Sequence, residues 1–229
     1  MKLTALCDGR YPSHVLFDLD GTLVDSATDL AAVVDQMLTN LGYEAAGEPK
    51  VRAWVGNGTE KLIRRALAGS LDESAADRLP ADKYNQAFEI FMALYAEQNG
   101  QHSEVFPGVL ELVEKLAAEG TRMAVVTNKL TRFTDQLLAR SGLARWFDVR
   151  VCGDTLPVMK PDPRTIQLAL ERLGGPVTQA LMVGDSETDI NVAAAAGIKC
   201  IAVSYGYNHG MPIREQGADL VVDSLAELL

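Results

Sequence analysis

Apolar and polar positions alternate along this chain with two different spacings. Short apolar runs fall at 15–17, 122–127, 149–152, 180–183 and 199–203, with a weaker one at 219–222. Between them the spacing predicts helices over 109–119, 131–141, 163–173 and 188–196, closing near Gly120, Gly142, Gly174 and Gly197, because glycine readily takes the left-handed conformation that ends a helix. Strands alternating with helices predict an α/β fold, a Rossmann-like doubly wound parallel sheet covered on both faces.

The alternation stops between about 27 and 102. Helical spacing there covers 29–41, stopped by Gly42, a short piece at 49–55, then 59–68, and 75–97 interrupted at Pro80, with no strand pattern. The expectation is a small helical domain, 26–103, inserted into a discontinuous core of 1–25 and 104–229. Its two crossings, near 24–27 and 99–107, contain Gly, Pro and Ser and can serve as hinges.

Composition narrows the classes. At 229 residues and 48% hydrophobic the chain can bury a large core or two unequal ones. No apolar stretch approaches the roughly 18 residues of a membrane span, and the opening MKLTALCDGRYPSH lacks the apolar core of a secretory signal. A cytoplasmic protein with no membrane partner is expected, as a monomer or homodimer. Cys7, Cys152 and Cys200 are scattered and form no C-x-x-C pair, so neither a disulfide framework nor a thiolate metal site is expected. The net charge of −10 argues against nucleic acid. It also repels an anionic substrate, so local cations or a metal must reverse the field at any site that takes one.

The segment VLFDLDGTLVDS runs an apolar strand into Asp18, Asp20 and Asp25. Along an extended strand Asp18 and Asp20 share a face while Leu19 points the other way. Two such carboxylates need something positive beside them, and a divalent cation is the simplest partner. VVTNK ends on Thr127, Asn128 and Lys129, and LMVGDSETDI ends on Asp185 with Asp189 one helical turn on. Ligands of open α/β sheets bind at the carboxyl ends of strands, so these residues are expected in one crevice. In MKPDP, Pro161 keeps Lys160 off a regular helix and in a loop leading to one.

Carboxylates, a hydroxyl, an amide and a lysine suit phosphoryl transfer. Oxygen ligands favour Mg²⁺. One of the first two acids can attack phosphorus while the other moves protons, and Thr127 and Lys160 can stabilise the transferring oxygens. Simpler readings compete. Asp20-Gly21 is a hairpin signal, which can coexist with catalysis as a flap. An EF-hand loop fails, because Leu23 stands at its sixth position and Asp29 at its twelfth. Ser186 reads as a helix cap and Asp25 as a structural acid at a hinge. Trp54 and Trp146 read as packing residues, and His14, His102 and His209 lack ligand-like spacing.

DLDGT, VVTN, the KPDP lysine and GDSETD, in that order, resemble the four motifs of the haloacid dehalogenase superfamily from Val15 onward. The resemblance implies Asp18 as nucleophile and Asp20 as acid and base. It implies Mg²⁺ on the Asp18 carboxylate, the Asp20 carbonyl and Asp185, with Asp189 and Ser186 behind them. Thr127, Asn128 and Lys160 would bind phosphate, and the helical insertion resembles a C1-type cap. WVGNGTEKLIRRAL, FPGV, VCGDTLPVMKPDP and SYGYN are similar to the phosphoglycolate phosphatases, which implies a small anionic phosphate ester as substrate. In the cap, Gly56, Asn57, Gly58 and Arg65 are the candidate substrate contacts. A helix starting near Gly58 puts Arg65 on one face with Gly58 and either Lys61 or Leu62, and which of Lys61, Arg64 and Arg65 points inward is open. The rivals are a dehalogenase, a phosphatase, pyrophosphatase or phosphomutase for another small phosphate such as a sugar phosphate, and a non-catalytic ligand sensor.

Overall fold

The computed structural model describes residues 2–229 apart from 73, 76, 77 and 176–179. In chain order its first half contains α1 (Lys2–Ala5), β1 (His14–Phe17), β2 (Val24–Asp25), α2 (Ala27–Asn40), α3 (Glu48–Trp54), α4 (Thr59–Ala68) and α5 (Ala81–Gln98). The second half contains β3 (Glu104–Val105), α6 (Val109–Ala118), β4 (Arg122–Val126), α7 (Thr131–Arg140), β5 (Val149–Val151), α8 (Arg164–Leu173), β6 (Ala180–Gly184), α9 (Glu187–Ala196), β7 (Lys199–Val203) and β8 (Leu220–Val222). The helix expected from residue 75 includes positions 76 and 77, which lie outside the described residues.

All four residues of β1 are buried. The pleat sends Val15 and Phe17 to one hydrophobic core and Leu16 to another. A strand covered on both faces reads as a continuous apolar block, so the sequence shows a block at this point. β1 lies between β4 and β6 in a six-stranded sheet of order β5-β4-β1-β6-β7-β8, all of whose pairings are parallel. The apolar faces of α6 and α7 cover one side of this α/β sheet, and those of α8 and α9 cover the other.

The helices α2 to α5 build a third core of their own from Leu30, Val34, Met37, Ile63 and Phe91, which also takes in Phe133 and Tyr207 from the sheet half. No helix among the described residues is long and apolar enough to cross a membrane. All three cysteines are free.

The competing hairpin reading of Asp20-Gly21 does not hold as a β1–β2 pair. Gly21 does make a tight turn, with φ of 84°, but the strand that follows it, β2, pairs antiparallel with β3 and not with β1. Asp20 and Val24 share only an isolated bridge. β1 already has β4 and β6 on its two edges, so it has no edge left for β2. The two crossings between the halves are therefore laced to each other. Buried Asp29 strengthens the lacing: its carboxylate accepts from the N–H groups of Gly100, His102 and Ser103 at 2.9, 2.9 and 3.0 Å.

Candidate active site

Parallel pairing aligns Phe17 with Val125 and with Val183, so the residues just beyond three adjacent strands emerge together. Asp18, Thr127, Asn128, Lys160, Asp185 and Asp189 all arrive there buried. Asp18 remains bound to the sheet, its N–H donating to the Val183 carbonyl at 2.9 Å.

The positive charge expected beside the two carboxylates includes a lysine for each. Lys160 Nζ lies 3.0 Å from Asp18 Oδ1 and 2.7 Å from Asp189 Oδ1. Lys129 Nζ reaches both oxygens of Asp20 at 2.9 and 3.1 Å, and Ser26 Oγ also donates to Asp20. The sequence reading puts Lys129 in the crevice, directly after Thr127 and Asn128 at a strand end, but gives it no role.

Asp18 accepts from Leu19 N–H at 2.7 Å and from Lys160, both on Oδ1, and no donor among the described residues reaches its Oδ2. Burial pushes its carboxyl up to about 6, against the pull of Lys160 and with the push of Asp189. Burial also raises Asp185 well above the carboxylate range, helped by the charges of Asp189 and Asp18. For Lys160, burial alone would lower the pKa, but Asp18 and Asp189 outweigh it and raise it.

Oxygen atoms of Asp18, Asp185 and Asp189 lie within 4.8 Å of one another. Their surroundings differ. Asp189 Oδ2 already accepts from the N–H of Asp185, the N–H of Ser186 and the Ser186 hydroxyl, while Oδ1 takes Lys160. Ser186 caps α9 in a reciprocal capping box with Asp189. Asp185 holds Thr22 Oγ1 at 2.8 Å and Tyr207 N–H at 2.7 Å. Backbone presses close around it: a Cβ at Gly21 would lie 2.4 Å from Asp185 Oδ2, and one at Gly206 would lie 2.1 Å from its Cβ. The all-oxygen donors, and two carboxyls raised by burial and by neighbouring negative charge, fit a hard divalent cation such as Mg²⁺.

Asn128 serves the loop that carries Lys160. Its Oδ1 accepts from Lys160 N–H at 2.9 Å and its Nδ2 donates to the Lys160 carbonyl at 3.1 Å. The helical half closes over these residues and leaves a cavity of about 40 Å³ lined by Asp18, Asp20, Thr127 and Lys129 below and by Leu62 and Phe91 above. Gly56 and Gly58 line it as well.

Arg65 and Asn57 do not line that cavity. Of the three cap cations weighed from sequence, Arg65 is the buried one, but its guanidinium donates to the Trp54 carbonyl at 2.7 Å and to Asn57 Oδ1 at 2.8 Å. Asn57 Nδ2 in turn donates to Thr188 Oγ1 of α9 at 3.1 Å, tying the helical half to the sheet half. Trp54 is buried in the helical core. His209 contacts the Ala53 carbonyl at 2.8 Å, and neither it, His14 nor His102 lines the cavity.

A family model described as haloacid dehalogenase-like hydrolase matches residues 15–203. A phosphoglycolate phosphatase of Pseudomonas syringae pv. syringae is 48% identical over 221 residues, covering 96% of this chain and 80% of that protein. Among solved structures, a protein of Haemophilus somnus described as a predicted phosphoglycolate phosphatase superposes with a TM-score of 0.87 at 34% identity, over 94% of this chain and 96% of that one. CbbY from Rhodobacter sphaeroides, solved in complex with phosphate, superposes with a TM-score of 0.73 at 27% identity, over 95% and 96% of the two chains.

Proposed function

The chain belongs to the haloacid dehalogenase-like hydrolases, and from that premise we propose that it hydrolyses 2-phosphoglycolate to glycolate and phosphate in the cytoplasm, with Mg²⁺ as cofactor. One observation carries the reading. Asp18 lies buried where three strands end and lines a small cavity, with Lys160 and Leu19 both on one carboxylate oxygen and no donor among the described residues on the other.

In this mechanism the Asp18 oxygen attacks phosphorus and the bond from phosphorus to the ester oxygen breaks. Asp20, as general acid, gives a proton to the departing alkoxide. Asp20 then takes a proton from water, which attacks the same phosphorus from outside, and the bond to Asp18 breaks to release phosphate and restore the carboxylate. Thr127 and Lys160 hold the transferring oxygens, and Asn128 fixes the loop that presents Lys160. Asp18, Asp185 and the Asp20 carbonyl would hold Mg²⁺, whose charge offsets that of the phosphoryl group. Asp189 and Ser186 act behind them, since the bonds of Asp189 already orient Lys160 and the Asp185 backbone.

Residues 26–103 act as a cap whose closure excludes bulk water. Gly56 and Gly58 bring the cap backbone to the substrate, while Asn57 and Arg65 hold that loop in shape. The relatives at high identity support a phosphoglycolate substrate. The test is phosphate release from a panel of small phosphate esters, with Mg²⁺ and with chelator. Metal-dependent turnover that favours 2-phosphoglycolate is expected, and a clear preference for a sugar phosphate would reassign the substrate.

A further inference from the structure

Given a substrate that is a phosphate monoester bearing a carboxylate, which rests on the function proposed above, we infer that Lys129, with the Tyr95 hydroxyl beside it, recognises that carboxylate, and that Arg65 does not. Among the described residues lining the closed cavity, Lys129 is the only one with a basic side chain. Its side chain is 3% exposed. A buried ammonium so placed supplies the local positive charge that an anionic substrate requires in a chain of net charge −10.

Position agrees with chemistry. Asp20, the group that must reach the ester oxygen, lies 2.9 Å from Lys129 Nζ. In a two-carbon phosphate ester the carboxylate carbon is two bonds beyond that ester oxygen, so a substrate reacting beside Asp20 brings its carboxylate to Lys129. The lysine has three N–H donors. They reach the two Asp20 oxygens and the Tyr95 hydroxyl, and a substrate carboxylate in the cavity that Lys129 lines would take one of them over. Tyr95 comes from α5 in the cap, where it packs on Phe91 and Phe133 with ring centroids 5.2 and 4.6 Å away. Its hydroxyl accepts from the Lys129 ammonium, and its ring centroid lies 4.7 Å from that ammonium. The contact forms only when cap and core meet, so the carboxylate subsite is complete only in the closed form. Leu30, Leu62 and Phe91 supply apolar walls, against which an unpartnered carboxylate would be costly. Arg65, by contrast, spends its guanidinium on Trp54 and Asn57, away from the cavity.

The experiment compares kcat/KM for 2-phosphoglycolate with that for ethyl phosphate, which keeps the two-carbon skeleton and lacks the carboxylate. Wild-type protein is measured beside Lys129→Met, Tyr95→Phe and Arg65→Met, each checked for folding by circular dichroism. The expected result is a wild-type preference for 2-phosphoglycolate that falls by about two orders of magnitude in Lys129→Met, falls severalfold in Tyr95→Phe, and survives in Arg65→Met. Should Lys129→Met not fold, the Tyr95→Phe ratio decides. An equal loss on both substrates in Lys129→Met and Tyr95→Phe, or a preference abolished in Arg65→Met alone, overturns the assignment and leaves the phosphoglycolate reading standing. A wild-type protein with no preference for the carboxylate overturns both.

Discussion

Tyr207 N–H donates to Asp185 Oδ2 at 2.7 Å, while the hydroxyl of the same residue accepts from the N–H groups of Ser26 and Ala27 at 2.9 and 3.1 Å. One residue thus joins the carboxylate cluster, through its backbone, to the start of α2, through its hydroxyl. The hydroxyl also donates to Asp25, which receives Arg52 of α3 at 3.1 Å. Tyr207→Phe takes the acceptor from the buried Ser26 N–H and leaves Ala27 N–H only Asp25 Oδ1 at 3.3 Å. We expect a stability loss of about 1–3 kcal/mol by denaturant titration, with a raised KM as the closed cap becomes less favoured.

Removing the carboxylate of Asp18 separates stability from activity. Its shift from 3.8 to about 6 is the net of burial and Asp189 against Lys160, so the folded surroundings disfavour its charged form by roughly 2–3 kcal/mol. Asp18→Asn should abolish phosphate release and raise the melting temperature of the chelator-treated protein. An unchanged turnover would sink the nucleophile assignment.

The same shift sets a pH window. In the metal-free folded protein Asp18 binds its proton more tightly than in the unfolded chain, so its contribution to stability is present below about pH 4 and is lost as pH rises through about 6. A divalent ion must displace that proton. Calorimetric titration with Mg²⁺ should therefore show affinity falling as pH is lowered through about 6, with proton release on binding.

Gly21 combines a φ of 84° with a Cβ position 2.4 Å from Asp185 Oδ2. Gly21→Ala should displace that carboxylate and weaken Mg²⁺ binding by about tenfold or more. The readout is a metal titration monitored by thermal shift, with the folded state verified by circular dichroism. Unaltered affinity would show that Asp185 has room to retreat.

Arg65→Met should act on the cap loop and not on substrate chemistry. With the bonds to Trp54 and Asn57 gone, a loss of about 2–4 kcal/mol in stability is expected, and KM should rise to the same degree for 2-phosphoglycolate and ethyl phosphate. A rise confined to the carboxylate-bearing ester contradicts the structural role assigned to this arginine.

The amino-acid sequence by itself determined the elements and the motif residues. Apolar blocks such as 15–17 and 180–183 read as strands covered on both faces, and the acids that end them, Asp18 and Asp185, meet because parallel strands put their carboxyl ends at one edge. The helices between 27 and 98 were equally legible, because a 3.6-residue period and a 2-residue period differ locally. What only the tertiary structure decided is which charge answers which. Lys129 meets Asp20 across 109 positions of chain, β2 finds β3 in place of β1, and Arg65 turns onto its own loop. Periodicity says which face a side chain takes but carries no information about what stands opposite it. Those partnerships follow from sheet order and from how the cap seats on the core, and both arise from burial summed over the whole chain.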